Sequence, residues 1–324
     1  MRLSKERLLA EAASSGYRPD VLEKVVHLLN LLKSFGTHPF LKGRLALKGG
    51  TALNLFIFEL PRLSVDIDLN YIGSAKREIM LAERPRLEEA VSAVCSREGL
   101  IIRNRPPREE HAGGKWYLRY QSALGAEGNL EVDLNFLLRV PLWPVVVRAS
   151  RPVGSYRADD VLVLDEHELA AAKLTALLAR HAARDLFDAH QALTRGRLDR
   201  DRLRLGFIVY GAMNRRDWRK VSVDDVSFDA PELEDSLVPL FSSDFLAQIG
   251  DLTAWATRMV QECRERLEVV LPLADNEKEF LDKLLDHGET EPSLLTQDNE
   301  LKERIRLQPG IAWKALNVRQ FKDR

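Results

Sequence analysis

The 324-residue sequence has few cysteines and no long hydrophobic run, and both absences exclude whole classes of protein. Its two cysteines, Cys95 and Cys263, are far apart in the chain and give neither a metal-binding spacing nor a disulfide framework. No stretch of 18 or more apolar residues is present, so nothing predicts a membrane-spanning helix. Residues 1–7 lack the apolar segment of a signal peptide. We therefore expect a reducing, cytoplasmic location without membrane contact.

The remaining composition is that of a globular protein, with one local asymmetry of charge. Hydrophobic residues make up 45% and charged residues 30%, and the length allows two domains. The seven histidines show no metal-ligand spacing. Residues 180–220 hold eleven Lys or Arg against five acids, although the net charge of the chain is −1. Such a basic stretch suits an RNA backbone, whereas solvated helix faces explain any single run equally well.

The spacing of apolar residues predicts a mixed α/β core followed by an α-helical domain. A helix at residues 20–35 has apolar side chains three and four positions apart. The predicted strands are residues 44–48, 65–71, 116–122 and 129–138, and helices are predicted at 165–192 and over most of the chain beyond 200. We assign residues 1–155 to the N-terminal helix and core, and residues 156–324 to the helical domain.

Two aspartates on one predicted strand indicate a metal site. In residues 65–71 apolar and polar side chains alternate, so Asp66 and Asp68 share one face with Cα atoms about 6.5–7 Å apart. Two carboxylates at this spacing repel each other unless a cation lies between them. Hard oxygen ligands favour Mg²⁺ or Mn²⁺ over zinc. An ordinary strand with a solvated polar face is the alternative.

A second strand repeats this alternation and adds a third acid. Residues 130–136 place Glu131 and Asp133 on the polar face, and a glycine-containing turn predicts a hairpin with the strand before it. If this strand lies beside residues 65–71, Asp133 joins Asp66 and Asp68. Three acids can hold two cations, the arrangement used in phosphoryl-type transfer.

The residues before the first acidic strand suit a phosphate. In Lys48-Gly49-Gly50-Thr51 the glycines allow close approach to the backbone, and Thr51 begins a predicted helix whose free N–H groups attract anions. A plain tight turn, with Thr51 as an N-cap only, is the alternative. Arg62 and Ser64 lie just before the acidic strand; Arg62 is a candidate phosphate ligand or a surface residue, and Ser64 is expected to face the metal.

A predicted helix in the second domain carries further candidates. If residues 168–190 form one helix, one of its faces carries Lys173, Arg180, Arg184 and Asp188. A triphosphate would supply the anions that buried cations need. Lys173 is our candidate for the contact that offsets charge in the transition state. Asp185 lies off this face, where we expect it to orient Arg184 or the nucleotide, or to cap a second helix if the chain breaks near Arg180.

Taken in order, these blocks resemble the AbiEii/AbiGii-type nucleotidyltransferase toxins of abortive-infection and toxin–antitoxin systems. The resemblance covers about residues 40–195, including Glu131-Val132-Asp133, Lys173 and its neighbours, and Arg184-Asp185-Leu186-Phe187-Asp188. It implies a nucleotidyltransferase core with a mixed sheet, NTP and Mg²⁺ as cofactors, and a cognate antitoxin. It also implies an RNA acceptor, the 3′ end of transfer RNA in the better-understood members.

Other readings stay open at the level of sequence. The acceptor of the same reaction could be a protein or a small molecule. A chain that has lost catalysis and only sequesters a partner is a second alternative, which intact Asp66, Asp68, Asp133 and Lys173 disfavour. A glycosyltransferase also uses Asp-x-Asp, but the Gly-Gly-Thr segment upstream disfavours it.

Overall fold

A computed structural model of the chain describes residues 3–59, 61–107 and 112–322. These residues divide into two units. Unit 1 comprises Met1–Arg139, Val145–Leu164 and Leu237–Gly250, and unit 2 comprises Val140–Pro144, Asp165–Ser236 and Asp251–Arg324. No helix in the described part of the chain is both long enough and apolar enough to cross a membrane.

Unit 1 is built on a single mixed sheet. Its seven strands, counted over the described residues, are β1 (Leu45–Lys48), β2 (Asp66–Tyr71), β3 (Ile101–Asn104), β4 (Gly113–Gln121), β5 (Glu127–Asn135), β6 (Val146–Arg148) and β7 (Val161–Val163). Their spatial order is β3-β4-β5-β2-β1-β7-β6. β2 pairs parallel with β5 and antiparallel with β1, while β4 and β5 form an antiparallel hairpin. The predicted mixed sheet and the predicted hairpin are both confirmed.

Helices complete unit 1 and make up unit 2. The described α-helices are α1 (Lys5–Ser15), α2 (Pro19–Thr37), α3 (Gly49–Ala52), α4 (Arg77–Arg97), α5 (Glu166–Arg180), α6 (Ala183–Arg195), α7 (Arg200–Met213), α8 (Ala230–Glu232), α9 (Ser243–Ile249), α10 (Leu252–Arg266), α11 (Asp275–Asp282), α12 (Asn299–Arg306) and α13 (Pro309–Lys322). A π-helical segment, Leu53–Ile57, continues α3. Unit 2 is helical, as predicted for the C-terminal part of the chain.

The alternation of apolar residues along β2 and β5 fixes which face of the sheet is buried. Ile67 and Leu69 of β2, with Val132 and Leu134 of β5, are almost fully buried. The acidic residues between them point to the other face. α2 supplies a further apolar surface to the core, and it begins at Pro19, where the missing N–H is tolerated.

Residues 165–192 are largely helical, as predicted, but they form two helices, the alternative that the sequence left open for a break near Arg180. α5 ends at Arg180, His181 takes a left-handed conformation with φ 58°, and α6 begins at Ala183. The backbone N–H of His181 donates to the carbonyl of Leu177, a bond that closes a helix C-terminus. Lys173 and Asp188 therefore lie on two successive helices.

A single division at residues 155/156 does not describe the two units. β7 extends the sheet to Val163, so residues 156–164 stay with unit 1. Residues 237–250 return to unit 1, where the N–H of Leu63 donates to the carbonyl of Leu240 at 2.8 Å and Arg62 pairs with Phe241 in a β-bridge. Long-range pairing of this kind leaves no local signal in the sequence.

Candidate active site

Four charged side chains form a row across the centre of the sheet in unit 1. Lys48 of β1 is paired with Asp68 of β2, Asp68 with Asp133 of β5, and Asp133 with Lys115 of β4. Directly paired residues point to the same face, so the row reads cation, anion, anion, cation. Neighbouring strands lie about 4.8 Å apart. The predicted juxtaposition of Asp133 with the Asp66 and Asp68 strand is confirmed.

A parallel row lies two residues along each strand. Asp66 is paired with Glu131, and Glu131 with Tyr117 of β4. Lys115 Nζ lies 2.6 Å from Glu131 Oε2, an ion pair that crosses between the rows. Each of these acids is partly accessible, in contrast to the apolar residues that alternate with them.

Asp68 lies directly against the glycine that begins α3. Gly49 has φ +72°, a conformation that side chains with a Cβ rarely adopt. A Cβ built on Gly49 would meet Asp68 Oδ2 at 2.1 Å. The absence of a side chain at Gly49 therefore makes room for the Asp68 carboxylate. This carboxylate lies at the start of a helix, where the first N–H groups lack intrahelical partners.

Two hydroxyl groups fasten α3 to the beginning of β2. The Thr51 hydroxyl donates to the carbonyl of Asp66, and the Thr51 and Ser64 oxygens are 2.9 Å apart. A hydroxyl has one hydrogen, so Ser64 is the donor in the second bond. Both side chains are buried. Thr51 is the third residue of α3 and follows the N-cap, Lys48, so the alternative of Thr51 as an N-cap is wrong.

Arg62 is buried, and the alternative of a surface arginine is wrong. Its Nη1 donates to the carbonyl of Leu63 at 3.0 Å, and its own carbonyl accepts from Arg151 Nη2 at 3.2 Å. These bonds stabilise the segment that leads into β2. Its predicted contact with a phosphate stays a prediction.

The charges of the two rows change the pKa values of two groups. Burial raises the pKa of Asp133; the Asp68 and Glu131 carboxylates act in the same direction, and Lys48 and Lys115 oppose it. The hydrogen bond with Glu131 raises the pKa of Lys115. A cation beside Asp133 would therefore stabilise the charged form of this carboxylate.

The acidic face fits a divalent cation whose coordination is completed by a substrate. Among the described residues, no group of three or more His, Cys, Asp or Glu is placed to hold a metal ion by itself. Mg²⁺ keeps several waters and is commonly held by one or two carboxylates together with substrate phosphates, so a closed cage is not required. Asn70 Oδ1, two residues beyond Asp68 on this face, is buried and has no hydrogen-bond donor within the described chain. The donors available are hard oxygens.

The candidates in unit 2 form an ion network of their own. Lys173 Nζ lies 2.8 Å from Asp185 Oδ1 and 2.9 Å from Asp188 Oδ2, and Arg180 Nη2 lies 2.7 Å from Asp185 Oδ2. The Lys173 side chain is 13% exposed and that of Asp188 is fully buried. These carboxylates are the anions that a buried lysine requires. The described chain thus supplies anions to Lys173 itself, and the predicted contact of Lys173 with a triphosphate stays a prediction.

Sequence reasoning missed Lys115 and Tyr117 as members of the acidic face. Tyr117 lies within a predicted strand and Lys115 directly precedes it, but local pattern does not set the hairpin register that pairs Lys115 with Asp133. The alternation of Lys115, Tyr117 and Arg119 with buried Trp116, Leu118 and Tyr120 is the available signal.

The family comparison decides the class of this site. The model of the family described as nucleotidyl transferase AbiEii toxin, type IV toxin–antitoxin system, matches residues 30–292. The chain belongs to the AbiEii family. The resemblance noted in the sequence is thereby confirmed, and this AbiEii chain is an NTP-dependent nucleotidyltransferase of a toxin–antitoxin family.

Solved structures support the same fold. MenT4, a nucleotidyltransferase toxin from Mycobacterium tuberculosis, aligns with a TM-score of 0.54 and 17% sequence identity. The alignment covers 95% of the AbiEii chain and 99% of MenT4. At this identity the likeness establishes the fold only. A search of curated proteins finds no match.

Proposed function

We propose that this AbiEii toxin transfers a nucleotide from an NTP to a hydroxyl group of an RNA acceptor, the 3′ end of transfer RNA. One observation carries the proposal: Asp68 lies against Gly49 at the start of α3 and is level with Asp133 on the adjacent strand. The turn that we propose to bind the phosphates is thus close to a pair of acids in the fold.

The roles follow from the position of each residue. Asp66, Asp68 and Asp133 would hold Mg²⁺ or Mn²⁺, and the bound metal would neutralise charge on the phosphates and on the reacting oxygens. The backbone at Gly49, Gly50 and Thr51 receives the phosphates, because N–H groups at a helix start attract anions.

Other predicted residues support these groups. Lys48, at the end of the charged row, neutralises the phosphates, and Arg62 and Ser64 hold the segment between α3 and β2. Lys173 is proposed as the phosphate contact from the helical unit. Arg180, Asp185 and Asp188 would orient it through the ion pairs already described.

The chemical step requires little covalent work from the protein. The acceptor oxygen forms a bond with the α-phosphorus of the NTP, the bond from that phosphorus to the bridging oxygen breaks, and pyrophosphate leaves. The hydroxyl proton passes to solvent. The side chains accelerate this step by holding the two reactants in line and by compensating charge.

The biological setting follows from the family. A toxin of a toxin–antitoxin system is proposed to act on RNA in the cytoplasm, under control of a cognate antitoxin, in phage defence by abortive infection. Modification of the 3′ end of transfer RNA would stop translation in the host cell.

Each NTP, labelled at the α-phosphate, should be incubated with the purified protein and Mg²⁺, together with total transfer RNA or total protein. We expect label in transfer RNA, and Asp68→Ala should abolish it. Label in protein, or in neither fraction, would refute the RNA acceptor. Equal activity of Asp68→Ala would refute the proposed site.

A further inference from the structure

We propose that the open face of β4, formed by Lys115, Tyr117 and Arg119, binds the single-stranded end of the nucleic-acid acceptor. The inference rests on the proposed function and extends it, because it names the surface that presents the acceptor hydroxyl to the acids. We call these three residues the β4 face.

The β4 face is an aromatic ring between two cations. Trp116, Leu118 and Tyr120 point into the core and are buried, so the alternate residues point outward. Tyr117 is 42% exposed, although tyrosine rings in a sheet usually pack against neighbours. Nucleobases stack on exposed aromatic rings whatever their sequence, while flanking cations follow the phosphates.

The ring lies beside the acidic residues. Tyr117 pairs with Glu131, and Glu131 pairs with Asp66, so Tyr117 and Asp66 are two strands apart at the same level. At about 4.8 Å per strand, their Cα atoms are separated by roughly 10 Å. This separation is on the scale of one nucleotide. A base stacked on Tyr117 would therefore leave its ribose close to the acids.

The order of the strands separates the proposed binding place of the NTP from that of the RNA acceptor. Across the sheet the sequence is β1, β2, β5, β4. Gly49 and its phosphate-binding turn follow β1, and the acids lie on β2 and β5. The β4 face is on the opposite side of the acids from that turn. In-line transfer needs the attacking and leaving oxygens on opposite sides of the phosphorus, so this side suits the acceptor.

The charges of the β4 face are available to phosphates. Lys115 pairs with Glu131 at 2.6 Å, and Arg119 pairs with Glu127 at 2.6 Å. These side chains are substantially exposed, and exposed ion pairs contribute little stability. Arg103 of β3 adds a further cation, 3.8 Å from Glu127. An RNA backbone can replace these partners at small cost.

Three variants test the proposal in the full-length chain. Tyr117→Ala removes the ring, Tyr117→Trp keeps an aromatic surface, and Gln121→Ala is the matched control. Gln121 is exposed on the same face of the same strand, four residues beyond Tyr117. Binding of a fluorescent single-stranded oligoribonucleotide would be measured by anisotropy without NTP, and binding of each labelled NTP by equilibrium dialysis with Mg²⁺.

Loss of one stacking contact should weaken oligoribonucleotide binding by Tyr117→Ala about tenfold. Tyr117→Trp and Gln121→Ala should bind RNA as the natural protein does, and NTP affinity should be unchanged in all three. Unchanged RNA affinity in Tyr117→Ala would overturn the proposal, as would a loss of NTP affinity instead, which would assign the ring to the incoming base. Because the RNA measurement needs no catalysis, its outcome is independent of whether Asp68→Ala abolishes transfer.

Discussion

The Asp68 carboxylate occupies the space that a side chain on Gly49 would fill, with Oδ2 2.1 Å from the position of the missing Cβ. The positions of the glycine that begins α3 and of the aspartate in the middle of β2 therefore depend on each other. Any residue other than glycine at position 49 would displace the acid that we propose as a metal ligand.

Gly49→Ala should abolish nucleotide transfer because the new methyl group forces Asp68 out of its position. The matched control is Gly43→Ala, since Gly43 has a similar φ of +78° but nothing lies within 4 Å of its Cβ position. Both variants should lose about 1 kcal/mol or more of stability in urea denaturation, because alanine is strained at positive φ. Only Gly49→Ala should lose activity. Equal activity of the two variants would show that the contact with Asp68 is unimportant.

Lys173→Met should reduce both activity and the free energy of unfolding. It leaves the buried Asp185 and Asp188 carboxylates without their lysine, and breaking a buried pair in this way typically costs about 3–5 kcal/mol. Urea denaturation and the transfer assay measure the two effects separately.

The triple variant Lys173→Met, Asp185→Asn, Asp188→Asn separates the two roles of the lysine. It should recover much of the stability, because the two buried carboxylates are neutralised together with the lysine and Arg180, which loses Asp185, is 65% exposed to solvent. Transfer should stay low. Recovery of activity together with stability would assign Lys173 a structural role only.

Glu168 should make folding stability depend on pH. Its Oε2 accepts from the N–H of Leu142 at 3.0 Å and its Oε1 from the Tyr210 hydroxyl at 2.9 Å, and burial raises its pKa from 4.5 to about 7. Between these values the folded state keeps a proton that the unfolded state has lost. This contribution is therefore complete below pH 4.5 and is lost as the pH rises to 7.

Glu168→Gln removes this titration. The difference in unfolding free energy between the natural protein and Glu168→Gln should change by on the order of 3 kcal/mol between pH 4.5 and 7, and other acids cancel in the comparison. Urea denaturation across this range measures it. Parallel pH profiles would show that Glu168 is not held protonated.

Much of unit 1 is predictable from local pattern, since strict alternation in β2 and β5 determines both their faces and the positions of Asp66, Asp68 and Asp133. The sequence does not determine that β2 pairs with β5, because strand neighbours are set by long-range packing. It predicts only that Asp133 joins Asp66 and Asp68 if the two strands are neighbours. The register that brings Lys115 and Tyr117 beside the acids depends on the geometry of the hairpin turn, which the turn residues alone do not determine.

Unit 2 illustrates what the local pattern does not contain. The chain breaks at His181 without a glycine or proline, so the sequence leaves open whether this region forms one helix or two. Asp185 is then brought to Lys173 and Arg180 by the packing of α5 against α6. The return of residues 237–250 to unit 1 has the same origin, because it depends on pairing with a segment far away in sequence.

Binding of Mn²⁺ in the presence of each NTP, followed by electron paramagnetic resonance, tests the central claim most directly. The acids of β2 and β5 should hold the ion together with the nucleotide. Asp68→Asn and Asp133→Asn should therefore weaken NTP-dependent Mn²⁺ binding at least about tenfold while the proteins stay folded. Glu127→Gln, an exposed acid at the far end of β5, serves as the control and should bind normally. Mn²⁺ affinity that is the same in all four proteins would contradict the account.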